Sequence, residues 1–364
     1  MTSMEPVLVI GSFQVTPYSL IIFAGALAGV LLVWKNREVR PLLAPVILGA
    51  LLFGHIFWVL FCPPGYIPEE GKGVLFLRIW QGGYTLYGAL AGGALAAIIG
   101  ARILKLRPLA VLDSLAPGAC AALVFARVGD WVSGQGFGEW VDAESLQFFP
   151  VSYITYQDEF YTDWKLAVWF WEAAAAAVIL VFLLLRAKRA MEGRQTALFL
   201  TALGCTQILL EQMRMDTFVR LNPQVRFSQL AAMAAILAVL AVILIRRKPE
   251  LNKLMLICAT VVFAALGVIF AEFVFDKPQY NLAMEIAMAL TAVSMAVMLL
   301  VFRKARGLIF AVPFAAAVVA LLVVFVSDQW ERIAPILYGM IALAVLAIGA
   351  AVYLAGAEKE RPQA

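Results

Sequence analysis

Phe125-Ala126-Arg127-Val128-Gly129-Asp130-Trp131-Val132-Ser133-Gly134-Gln135-Gly136-Phe137-Gly138-Glu139 follows directly on the apolar run 109–124. It sets a cation, a carboxylate and four glycines where a membrane helix reaches its end. A charged side chain at the centre of a membrane helix costs about 2.5–3.5 kcal/mol. Such a residue is either a functional group facing a cavity or an arginine snorkelling from a helix end. The four glycines favour function, because irregular backbone at this depth is tolerated where it lines a cavity.

Composition sets the class. The 364 residues are 63% hydrophobic and 14% charged, with mean hydropathy +0.91. A soluble domain carries about 25% charged residues, so the chain reads as an all-α polytopic membrane protein. Met1–Gln14 lacks a basic segment and a small-residue cleavage site, so the first apolar run is expected to stay as a helix. Cys62, Cys120, Cys205 and Cys258 lie far apart, mostly within apolar runs. They form no metal spacing and no disulfide framework. No metal, cofactor or nucleic-acid partner is expected.

A helix needs about 20 apolar residues to cross a core of about 30 Å. Eleven runs qualify: 17–34, 42–61, 83–104, 109–126, 164–186, 195–213, 228–245, 251–272, 281–302, 307–327 and 334–355. Every second connection is basic, as in Lys35, Arg37 and Arg40, or Arg102, Lys105 and Arg107, or Arg246, Arg247 and Lys248. The opposite connections hold most of the acids, among them Glu69, Glu70, Glu139, Asp142, Glu144, Asp158 and Asp163. The positive-inside rule then places the N-terminus outside and the C-terminus in the cytoplasm. A boundary falls at Arg246-Arg247-Lys248-Pro249. It separates a seven-helix core, residues 1–248, from a four-helix extension, residues 249–364. Two outer connections are long, Cys62–Gly82 and the aromatic, acidic Gly134–Asp163. Long connections serve as lids, and aromatics at this height also form an interfacial belt.

The polar residues of the first seven runs gather at the outer side. Tyr18 opens span 1, and His55 lies in the outer third of span 2. Trp80-Gln81-Gly82-Gly83-Tyr84-Thr85-Leu86-Tyr87-Gly88 enters span 3. Arg127 and Asp130 end span 4, and Glu172 lies about two turns into span 5. Gln207, Glu211 and Arg214 are spaced to share one face near the end of span 6. Each has a plain structural alternative. His55 could sit hydrogen-bonded in a packed interface, Glu172 could pair with an arginine, Glu211 could pair with Arg214, and the glycines could serve packing alone. A single polar cavity at the outer leaflet accounts for all of them together. Two arginines suit an anion, since the guanidinium binds phosphate as a fork, and a lipid headgroup phosphate is the anion present at that depth.

These blocks resemble the bacterial phosphatidylglycerol–prolipoprotein diacylglyceryl transferases over about residues 10–248. The family's Ala-Gly-Arg-Leu-Gly-Asn stretch, followed by Asn-Gly-Glu-x-x-Gly, is similar to Ala126-Arg127-Val128-Gly129-Asp130 and Ser133-Gly134-Gln135-Gly136-Phe137-Gly138. The Trp-x-Gly-Gly block is similar to Trp80-Gln81-Gly82-Gly83, and the Glu-x-x-Arg block to Glu211 and Arg214. The span-2 Gly-Gly-Arg is similar to Phe53-Gly54-His55. Several positions depart from the pattern. Asp130 stands for an asparagine, Tyr87 and Leu166 for histidines, and Gln207 for an arginine.

The resemblance implies a bacterial cell-membrane enzyme. It would move the diacylglyceryl group of phosphatidylglycerol to the lipobox cysteine of a preprolipoprotein and release glycerol phosphate. It implies catalytic roles for Arg127, Tyr87, Asp130 and Glu172. It implies substrate contacts for Arg127, Arg214, Glu211, Gln207, His55, Tyr18 and Gly138. Two rivals share the scaffold: a phosphatidylglycerol-dependent transferase with another acceptor, and a non-catalytic lipid-binding or lipid-moving protein.

Overall fold

The structure is a computed structural model that describes residues 7–10, 13–61, 73, 76, 83–159, 161–186, 192–216 and 226–247. Spans 8–11, the Trp80-Gln81-Gly82 block and nearly all of the first long connection lie outside them. The chain divides into two compact units, Met1–Phe199 with Met213–Ser228, and Leu200–Gln212 with Gln229–Ala364.

Each of the first seven apolar runs is a helix. They are α1 (Pro17–Val33), α2 (Leu43–Phe61), α3 (Leu86–Ile103), α4 (Pro108–Val132), α5 (Val168–Arg186), α6 (Arg194–Met213) and α7 (Phe227–Arg247). Among the described residues, four helical stretches are long and apolar enough to cross a membrane: Arg40–Phe61, Leu86–Ile103, Pro108–Val132 and Val168–Leu185. The chain is thus a mostly helical membrane protein. The helical architecture matches the expectation, and among the described residues it carries in addition two small antiparallel hairpins. One pairs β1 (Leu8–Ile10) with β2 (Phe13–Val15), and the other pairs β3 (Ser152–Gln157) with β4 (Thr162–Leu166). The fifth helix therefore starts at Val168, not at 164. Apolar content alone does not separate a strand from the helix that follows it.

Local chemistry starts the helices where they begin. Thr16 and Ser19 form a reciprocal capping box ahead of α1, with Pro17 at its first position. Pro108 opens α4 in the same way. The start of α6 is capped from another helix. Asp113 of α4 accepts hydrogen bonds from the Gly193 and Thr196 amides at 2.7 and 2.8 Å, and from Thr196 Oγ1 at 2.7 Å. That satisfies donors a helix start leaves unpaired and gives a buried carboxylate its partners.

Glycine sets how closely the helices approach. In the first unit α1 packs on α4, α2 on α3, and α4 on α5. A Cβ on Gly29 would fall 2.6 Å from the Gly118 carbonyl oxygen, and one on Gly118 would fall 2.8 Å from that of Gly29. Gly49 and Gly92 face each other likewise, at 2.8 and 2.2 Å. Lipid offers no hydrophobic drive between helices, so close backbone approach through small residues supplies the packing energy. Gly92→Ala is expected to lower the thermal midpoint of the detergent-solubilised protein, at a cost of about 1–3 kcal/mol from overpacking. Gly93→Ala, whose Cβ would meet its nearest neighbour at 3.5 Å, is expected to be neutral or slightly stabilising. An equal loss for both variants would refute the close-contact account.

Candidate functional site

The site lies in the first unit, at the end of α4. The helix does not stop at residue 126 but runs on through Arg127 and Asp130 to Val132. At about 1.5 Å per residue, its 25 residues exceed a core of about 30 Å, so its last turns reach the interface. The charges do not break the helix because they pair one turn apart. Arg127 Nη1 donates to Asp130 Oδ2 at 2.8 Å.

α5 brings in the next carboxylate. Glu172 Oε2 lies 3.3 Å from Arg127 Nε and 3.2 Å from Arg214 Nη1. Arg214 Nη1 also stands 3.8 Å from Asp130 Oδ2. One buried carboxylate thus bridges both arginines, and the Glu172 side chain is only 3% exposed. Arg214 arrives by backbone pairing. α6 ends at Met213, so the helix face expected to carry Gln207, Glu211 and Arg214 together stops short of the arginine. Arg214 instead bridges Gly138, and the Met215 amide donates to the Phe137 carbonyl at 3.0 Å. Gly138 makes room for this strap. A Cβ there would lie 2.9 Å from the Met213 carbonyl oxygen and 2.7 Å from Leu166 Cβ. Gly136, at φ +72°, presses on Trp169, whose ring stacks on Trp131 with centroids 5.1 Å apart.

One acid of the cluster escaped the sequence reading. Asp216 Oδ1 accepts from Arg214 Nε at 2.9 Å, and its Oδ2 accepts from Arg214 Nη2 at 2.8 Å and from the Gly136 amide at 2.7 Å. Burial pushes the Asp216 carboxyl up, but the Arg214 charge and these hydrogen bonds outweigh it and hold the group below the usual range. Tyr153 is pushed up to about 12, first by burial and then by the Asp216 charge. The spacing Arg214-x-Asp216 was a usable signal, since residues two apart in extended chain share a side. Among the described residues the cluster therefore sets two guanidinium groups against three carboxylates.

The remaining expected residues take separate positions. Tyr18 lies against Gly129, where a Cβ would stand 3.2 Å from its ring. His55 is buried, and its Nδ1 lies 3.1 Å from the Gly83 carbonyl oxygen. A carbonyl only accepts, so Nδ1 carries the proton and a neutral ring keeps its lone pair on Nε2. The imidazole also stacks on Trp58, with centroids 6.0 Å apart. Tyr87 is half-buried in the first turn of α3. Gln207 and Glu211 belong to the second unit, where Gln207 Nε2 donates to Glu211 Oε2 at 2.7 Å.

Fold and site together define a class: a polytopic helical membrane protein with a buried arginine–carboxylate cluster at the end of its long fourth helix. The model of the prolipoprotein diacylglyceryl transferase family matches residues 6–245. The chain belongs to that family. Among its relatives is a phosphatidylglycerol–prolipoprotein diacylglyceryl transferase of Gloeobacter violaceus, 28% identical over 65% of this chain and 90% of the relative. Enzymes with the same name from Tropheryma whipplei and Frankia alni are 30% and 29% identical, over 56% and 57% of this chain. The match spans 79% of the Tropheryma protein and 57% of the Frankia protein.

Glu172 holds two guanidinium groups that would otherwise repel each other in a dry site. Removing one partner of a buried ion pair costs about 3–5 kcal/mol. Glu172→Ala is therefore expected to lower the thermal midpoint in detergent far more than Glu144→Ala, an exposed acid. Similar midpoints for the two variants would show that Glu172 does not hold the cluster together.

Proposed function

We propose that the protein transfers the diacylglyceryl group of phosphatidylglycerol to the lipobox cysteine of a preprolipoprotein in the bacterial cell membrane. The observation that carries this reading is the Arg127–Glu172–Arg214 cluster in a chain of this family. The reaction breaks the bond between the glyceryl carbon and the phosphate oxygen and forms a carbon–sulfur thioether. The thiol loses its proton, and glycerol phosphate leaves. Two demands follow. The departing phosphate needs preorganised positive charge, usually the largest single catalytic contribution. The thiol, with an unperturbed pKa of about 8.5, needs a base.

In this reading Arg127 takes the phosphate and Arg214 supports it. Tyr87, Asp130 and Glu172 are the groups that could receive the thiol proton. Tyr18, His55 and Gly138 of the first unit are proposed to shape the substrate-binding region, and Gln207 and Glu211 of the second unit are each proposed as substrate contacts. The seven-helix core, residues 1–248, carries the activity, with the N-terminus outside. Spans 8–11, residues 249–364, form a membrane extension that returns the C-terminus to the cytoplasm. A reporter active only in the cytoplasm is expected to work when fused after Lys248. Activity only outside the cell would reverse the topology.

The excess carboxylate bears on activity. Asp130 pairs with Arg127 at 2.8 Å, so a headgroup phosphate must compete with it for the same cation. Arg127→Ala is expected to abolish transfer from labelled phosphatidylglycerol to a lipobox peptide in vesicles. Asp130→Asn, which removes the competing charge, is expected to raise it. Full activity of Arg127→Ala would overturn the assignment. Headgroup binding without turnover in the unaltered protein would favour a non-catalytic lipid-binding role. A glycerol-linked product that is not a lipoprotein would favour another acceptor.

A further inference from the structure

The edge of a guanidinium formed by Nε and one Nη matches the two oxygens of a carboxylate or a phosphate. In Arg214 that edge is filled. Nε donates to Asp216 Oδ1 at 2.9 Å and Nη2 to Asp216 Oδ2 at 2.8 Å. The remaining nitrogen, Nη1, is directed at Glu172 at 3.2 Å. Asp216 is fixed from the other side, because the Gly136 amide donates to its Oδ2 at 2.7 Å. The flanking backbone is pinned as well, through Met215 to Phe137 at 3.0 Å and the Gly138–Arg214 bridge. The Asp216 side chain is 6% exposed and that of Arg214 is 12% exposed, so water does not loosen the pair. Arg127 is held differently. It meets Asp130 through Nη1 and Glu172 through Nε, one nitrogen for each carboxylate.

We propose that Asp216 is a positioning residue that withholds the fork of Arg214 from the headgroup phosphate, aims its third nitrogen at Glu172, and leaves Arg127 to receive the phosphate. The proposal rests on the reading of this cluster as a phospholipid site and divides the labour between its two arginines. Arg214 organises the carboxylate that both arginines share. A carboxylate held by an amide and a guanidinium at once is a stronger partner for Arg214 than a mobile headgroup, which loses freedom on binding.

The consequence runs against the usual effect of removing a contact. Without the Asp216 charge, Arg214 is released to bind phosphate itself, so the lipid is held more tightly and in the wrong place. The test is a titration of the full-length protein in nanodiscs with phosphatidylglycerol, which needs no turnover, alongside the transfer assay. Asp216→Asn is expected to bind the lipid about tenfold more tightly and to turn over at least about tenfold more slowly, the scale of a hydrogen bond to a charged group. In an Arg214→Lys background, where no fork exists, Asp216→Asn is expected to change affinity less than about twofold.

Unchanged or weaker binding by folded Asp216→Asn would overturn the proposal. So would a gain of equal size in the Arg214→Lys background, because charge removal alone would then explain it. If Asp216→Asn does not fold, Asp216→Ser, which likewise removes the charge and leaves the fork of Arg214 unfilled, is read in the same way. Tighter lipid binding supports the proposal, and unchanged binding refutes it. Failure of the unaltered protein to bind phosphatidylglycerol would overturn the functional reading and this proposal together. Normal binding by the unaltered protein, with Asp216→Asn unaffected, would overturn only the proposal.

Discussion

Charge carried to the edge of the hydrocarbon must be compensated on the spot, and the first unit is built around that requirement. A guanidinium left there without a counter-charge is costly, and Glu172 answers both Arg127 and Arg214 with a single carboxylate oxygen. Isolated ions in such a medium are far costlier than neutral polar groups. The pairing therefore dictates where the end of α4, the start of α5 and the strap after α6 must meet.

Glycine makes the meeting geometrically possible. At Gly29–Gly118 and Gly49–Gly92 the helix backbones come close enough that a methyl group would collide with a carbonyl oxygen. At Gly136 and Gly138 the same absence of side chain admits Trp169 and the Met213–Asp216 strap. The first use is architectural, and the second brings chemistry into reach. The glycine-rich stretch after α4 thus serves as a landing place for the segment carrying Arg214 and Asp216. The hairpin of β3 and β4 continues that surface, since the Gly138 amide donates to the Leu166 carbonyl at 2.9 Å.

With Asp130 on Arg127 and Asp216 on Arg214, carboxylates outnumber guanidinium groups among the described residues of the cluster. On the proposed reading, an anionic headgroup approaching this cluster meets partners already engaged. Orientation then matters as much as charge, because the arginine whose fork is occupied and the arginine held by single contacts present different faces to a phosphate.

The sequence alone determined the membrane class and, apart from the far end of α4, the extents of the first seven helices to within a few residues. Those properties are local. Apolar run length, capping residues and the cost of a charge in lipid act on neighbouring residues whatever the rest of the chain does. The hairpin of residues 152–166 was hidden because Trp164 and Leu166 read equally well as helix and as strand. Only the tertiary structure decided which acid answers which arginine. It put Arg214 past the end of its helix, recruited Asp216, and set Asp113 to cap a helix some eighty residues away. Pairings across such separations depend on which backbones can approach, and that is settled by glycine contacts and strap geometry that no single stretch of sequence records.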